Sequence, residues 1–133
     1  MAQKKPVPTG RQRIGRWGED AAARFLQARG YLILGRNLRT RSGEIDLLAR
    51  QGEGGELVFV EVKTRTNLNM GLPEEAVDAR KLKHMSLAAE IYLEQHPELA
   101  GAAAYRFDVI AIQGHPGGKE EDVSIEHFEN ISS

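Results

Sequence analysis

The hydrophobic positions of this chain change period several times, and each change marks an element. From Ile14 to Arg29 apolar residues recur at helical spacing (Ile14, Trp17, Ala21, Phe25, Ala28), and Gly30 is placed to stop a helix. Tyr31 to Leu38 reads as a first strand. Gly43 to Arg65 then carries two apolar runs around the Gly-rich stretch from Gln51 to Glu56, the local signal of a β-hairpin. The second run is apolar on both alternating faces, Leu57 and Phe59 on one and Val58, Val60 and Val62 on the other. Such a strand lies inside a sheet covered on both sides. Residues 66–73 read as a loop. A second helix is expected from an Asp78 N-cap, with Val77 and Leu82 as a hydrophobic staple and Leu82, Met85, Ala89, Tyr92 and Leu93 facing inward. It ends near Gln95, before Pro97. Tyr105 to Gln113 is a strand, and Val123 to Phe128 a final edge strand. This order predicts a single-domain α/β fold, a mixed β-sheet flanked by helices on both faces. The domain would span residues 14–133, behind a flexible basic arm of residues 1–13.

The hairpin carries the candidate chemistry. Glu61 and Lys63 interrupt one face of its second strand, and charges are rarely buried unless paired. If the hairpin folds about the Glu53–Gly54 bond, Asp46 sits opposite Glu61, and Glu44 opposite Lys63. Directly opposed residues have Cβ atoms about 5 Å apart. Two carboxylates that close repel by about 3 kcal/mol at an effective dielectric of about 20. A cation must lie between them, or one must take up a proton. A hard divalent metal such as Mg²⁺ or Mn²⁺ suits the carboxylate oxygens, and Lys63 can reach the same pocket. An Asp on one strand beside Glu-x-Lys on the next suits metal-dependent phosphodiester cleavage. The metal would polarise the phosphate, and the lysine would orient or deprotonate the attacking water.

These residues carry a family resemblance. The run GEIDLLAR…LVFVEVKTR resembles the core of the PD-(D/E)XK nuclease superfamily. More closely, it is similar to the YraN-like family of small bacterial predicted nucleases, related to archaeal Holliday-junction resolvases. Gly18-Glu19-Asp20-x-Ala22, Ala76-Val77-Asp78 with Lys81, and Arg106-Phe107-Asp108-Val109 extend the likeness to roughly residues 14–130. Ile45 departs from the superfamily's proline before Asp46. The resemblance implies a restriction-endonuclease-like core. It also implies that Asp46 and Glu61 hold the metal, that Lys63 is catalytic, and that Glu19 adds an acidic group; a solvated first-turn glutamate is the alternative for Glu19. Lys81 aligns with a basic position of the family, which points to phosphate contact.

Composition sharpens this picture. The 133 residues include no cysteine, so disulfides and thiolate metal sites are excluded. No apolar leader or membrane-length segment appears, and a cytoplasmic protein is expected. The net charge of −1 hides an asymmetry. Residues 1–41 carry ten Lys/Arg against Glu19 and Asp20, whereas residues 42–133 carry eight against seventeen acids. A basic region for phosphates beside an acidic centre follows. Arg36, Arg39, Arg41 and Arg65 join Lys81 as candidate DNA contacts, with solvated loop arginines as the alternative. Arg106 and Asp108 read as a structural ion pair backing the site. The histidines at 84, 96, 115 and 127 show no ligand spacing and read as surface residues. Recognition of DNA shape, with branched DNA as the favoured substrate, and a homodimer on a symmetric junction complete the expectation. A non-catalytic nucleic-acid-binding or adaptor protein that kept the fold is the rival. A third reading is a structural cluster in which Lys63 neutralises both carboxylates.

Overall fold

Thr9 sets where the chain becomes regular. Its hydroxyl accepts from the Gln12 N–H, and the Gln12 side chain accepts from the Thr9 N–H, a reciprocal capping box. Helix α1 (Gly10–Ala28) therefore starts before the expected Ile14, and residues 10–13 are its first turn instead of part of an arm. The computed structural model describes residue 7 and residues 9–66, 78–99 and 104–131, so most of the expected arm lies outside the described residues.

The buried line of α1 runs through Gly18, Ala22 and Leu26, flanked by Ala21 and Ala23. It is rotated from the expected stripe. Trp17 and Phe25 are half-buried at its flank, and Ala28 is exposed. The reason is a close approach: a Cβ at position 18 would overlap the Thr64 hydroxyl on the sheet below. Only glycine lets the helix settle there.

After a turn at Gly30, β1 (Tyr31–Thr40) pairs antiparallel with β2 (Gly43–Gln51), and β2 pairs antiparallel with β3 (Leu57–Arg65). Leu47 faces Val60, Leu48 faces Phe59 and Ala49 faces Val58, the register of a hairpin folded about Glu53–Gly54. Gly52 and Gly54 both have φ 73° in the turn, a conformation that glycine adopts without steric cost. The loop expected at 66–73 lies, beyond Thr66, outside the described residues, as does Val77 of the staple. Asp78 caps α2 (Ala79–Gln95), accepting from the Lys81 N–H at 2.9 Å. Met85, Ala88, Ala89 and Ile91 are its buried residues, while Leu82, Tyr92 and Leu93 are half-buried. β4 (Tyr105–Gln113) then runs parallel to β3, and β5 (Ser124–Phe128) closes the far edge antiparallel to β4. The sheet order is β1-β2-β3-β4-β5, with β3 at the centre.

Each face of the sheet carries its own core. Ala22 and Leu26 of α1 pack with Leu47, Val58, Val60, Ile110 and Ile112. Ala88 and Ala89 of α2 pack with Leu38, Ile45, Leu48, Leu57 and Phe59. β3 is covered on both sides, as its pattern predicts. Among the described residues, Glu61 and Asp108 are the charged side chains buried in this interior.

Candidate metal centre

β2 breaks its alternation where the first carboxylate sits. Ile45 packs into the α2-side core, yet Leu47, two residues on, packs into the α1-side core. Main-chain pairing with β3 reaches Leu47–Val60 and stops one residue short of Asp46–Glu61. The Val62 N–H donates to the Asp46 carboxylate instead, at 2.8 Å. A side chain thus replaces a main-chain acceptor, and the β2–β3 ladder opens around Asp46. Glu44 and Lys63, expected to face each other, lie beyond this opening.

Glu61 projects from the central strand with 6% exposure. Two cations meet its Oε1: Lys63 Nζ at 3.3 Å, from the same strand, and Lys81 Nζ at 3.5 Å, from the first turn of α2. Asp46 has no such partner; among the described residues no lysine or arginine lies within 4.0 Å of it. Burial, and then the charge of Glu61, push its carboxyl up to about 7, against the Val62 hydrogen bond. Glu19 and Glu44 add smaller repulsions. Glu19, on α1, is itself raised, chiefly by burial, although a hydrogen bond from Asn37 and the charge of Arg36 oppose this. Asn37 reaches it from a left-handed backbone (φ 52°) in β1, a conformation that asparagine tolerates.

The folded chain therefore brings Glu19, Asp46, Glu61, Lys63 and Lys81 together. Lys81, expected among the DNA contacts, has its ammonium group beside the Glu61 carboxylate. Asn37 was not expected here; it lies beside the centre because β1 folds against α1. Of the arginines, Arg36 bonds Asp20 at 2.6 Å, and Arg39 stands 4.0 Å from Glu44. Arg41 is exposed in the β1–β2 turn. Arg65 ends β3 on the strand face of Glu61 and Lys63, and its buried Nε has no hydrogen-bond partner. Asp46 and Glu61 offer the hard oxygen donors that Mg²⁺ or Mn²⁺ prefers, and the uncompensated Asp46 fits a cation.

A second buried charge network is separate. Arg106 grips Asp108 with two hydrogen bonds, at 3.0 and 3.2 Å, and reaches Tyr31, Glu56 and Gln51. His127 Nε2 lies 2.7 Å from the same carboxylate, and the Asn130 N–H donates to it. His127 is thus no surface residue; its side chain is 9% exposed. Asp108, His127 and Glu129 do bring potential ligand atoms within 4.8 Å of one another. Both oxygens of Asp108 are already engaged, so the cluster reads as structural. None of its bonds reaches Asp46 or Glu61.

Fold and site define a class: a single-domain α/β protein, a five-stranded mixed sheet flanked by two helices, with carboxylates and lysines gathered at the open end of its central hairpin. The chain belongs to the uncharacterised protein family UPF0102, whose profile matches residues 18–112. A UPF0102 protein of Symbiobacterium thermophilum is 47% identical over 108 residues, covering 81% of this chain and 88% of its own length. One from Roseiflexus castenholzii is 43% identical over 121 residues, 90% of this chain and 94% of the relative. Two solved structures are distantly similar. EndoMS in a complex with dsDNA matches 80% of this chain and 38% of its own, with TM-score 0.39 and 17% identity. SfsA of Pyrococcus furiosus in complex with Ca²⁺ matches 85% and 60%, with TM-score 0.37 and 14% identity. Among the described residues no helix is long and apolar enough to cross a membrane.

Proposed function

We propose that this chain is a metal-dependent endonuclease that hydrolyses phosphodiester bonds of DNA, selecting branched or junction structures. The observation that carries the reading is Asp46: a half-buried carboxylate, beside Glu61, with no lysine or arginine within 4.0 Å among the described residues. A structural cluster would place a lysine between the two carboxylates, whereas both lysines lie on Glu61. Asp46 and Glu61 would hold Mg²⁺ or Mn²⁺, which when bound supplies Lewis-acid polarisation of the phosphate and a more acidic water. Lys63 orients the attacking water from the same strand face as Glu61. Glu19 holds further negative charge at the rim. Arg36, Arg39, Arg41 and Arg65 hold phosphates with their guanidinium forks. The preference for branched DNA and a homodimer on a symmetric junction rest on the likeness of the motif to junction resolvases.

A cleavage screen tests this directly. Linear, flapped and four-way DNA are incubated with wild type, Asp46→Asn and Lys63→Ala, in Mg²⁺ or Mn²⁺. Cleavage of branched substrates by wild type alone is expected. Binding without cleavage in either metal would favour the adaptor reading, and cleavage by Asp46→Asn would remove the centre from the mechanism.

A further inference from the structure

Two lysines from different elements converge on one oxygen of a nearly buried carboxylate, and one would suffice to neutralise it. Lys63 stands two residues from Glu61 on the same strand, so its position follows from the sheet. Lys81 is different. Its main chain is anchored, since its N–H is held by Asp78, but its long side chain is 39% exposed. It can leave Glu61 for solvent by side-chain rotation alone. Meanwhile Asp46 faces the same pocket without a cation of its own. The charge is unevenly shared: Glu61 is overcompensated and Asp46 is not.

We infer that Lys81 is an exchangeable counter-ion, which occupies Glu61 while no metal is bound and moves to a nucleic-acid phosphate when a divalent cation takes its place. The inference rests on the metal-centre reading above. A divalent cation on Glu61 repels an ammonium group held at the same oxygen, and a phosphate brought beside the metal attracts it. The device balances the charge of the carboxylate when no metal is bound and delivers a cation to DNA only when the site is loaded. Lys81 is then a positioning residue whose contact with phosphate depends on metal, unlike an arginine on a basic surface.

The test is the salt dependence of binding to a four-way junction, for wild type and Lys81→Met, in EDTA and in Ca²⁺, with Mn²⁺ calorimetry on the same proteins. In Ca²⁺ the slope of log affinity against log salt should be shallower in Lys81→Met by about 0.9. In EDTA the two slopes should coincide. Lys81→Arg should restore the slope in Ca²⁺. Without DNA, Lys81→Met should bind Mn²⁺ about three- to tenfold more tightly, since a competing cation is gone. Equal slopes in Ca²⁺, an equal difference in EDTA, or unchanged or weaker Mn²⁺ binding would overturn the exchange. Asp46→Asn separates the two levels. If it binds Mn²⁺ as wild type does, the metal centre itself fails. If it loses Mn²⁺ while Lys81→Met leaves the slopes equal, only the exchange fails.

Discussion

At the scale of the residue, Asp46 concentrates the unusual chemistry. Its folded carboxyl titrates at about 7, against an ordinary value of 3.8 in the unfolded chain. From about pH 4 to about pH 7 the folded state keeps a proton that the unfolded state has lost. The contribution of Asp46 to stability is therefore fullest at the acid end, falls as pH rises through that window, and stays low above it. The metal-free melting temperature should decline between about pH 5 and about pH 7.5, and Asp46→Asn should flatten that decline. At the upper end the variant should melt at or above wild type, yet gain nothing from Mn²⁺. A structural cluster predicts the opposite sign, because an unpaired buried lysine costs about 3–5 kcal/mol. Thermal unfolding with and without Mn²⁺ at both pH values decides between them.

At the scale of the element, two contacts hold the pieces that frame the centre. Gly18 lets α1 lie on β3, which puts Glu19 at the rim. Gly18→Ala should cost about 1–3 kcal/mol in urea unfolding, because the new methyl must displace Thr64. Thr64→Ala should relieve part of that cost, and strict additivity of the two changes would refute the contact. The other is the clasp between β4 and β5. Burial raises the Asp108 carboxyl, but hydrogen bonds from His127, Arg106 and the Asn130 N–H outweigh it and hold the group below the ordinary range. Its stabilisation is present above about pH 4 and disappears as pH falls through the lowered folded value. Asp108→Asn should destabilise the fold by about 3 kcal/mol in urea, since it strips a buried arginine of its main partner. Mn²⁺ heats should persist in that variant, and their loss would join the network to the metal centre.

Across the whole molecule, charge separates along the chain: the basic residues crowd before Ser42, and the acids follow. Arg11, Arg13 and Arg16 lie exposed on the first turns of α1, so part of the basic region is helical and not a loose arm. Lys4 and Lys5 precede the Thr9 cap. Deleting residues 2–8 spares the cap and should reduce the salt slope of DNA binding by up to about 2 units, one for each lysine. An unchanged slope would make that segment a solubilising tail.

What the sequence determined by itself is local in origin. The hairpin register follows from a Gly-rich turn between two apolar runs, and it suffices to bring Asp46 to the strand of Glu61 and Lys63. Asp78 starts α2 because a short acidic side chain can accept from the main chain three residues on. Thr9-x-x-Gln12 carried an equally local signal for the start of α1, hidden behind a hydrophobic stripe that begins at Ile14. Tertiary structure decided everything that depends on residues far apart. The rotation of α1 follows from Gly18 meeting Thr64, and the burial of His127 from Asp108 lying on the neighbouring strand. The meeting of Lys81 with Glu61 needs α2 to cross the sheet before β4 returns parallel to β3. Alternation along a strand can put two carboxylates side by side, but which of them keeps its proton depends on burial and on where the lysines reach. Those are properties of the packed chain, because Coulomb energy and desolvation are set by distance in space and not by separation in sequence.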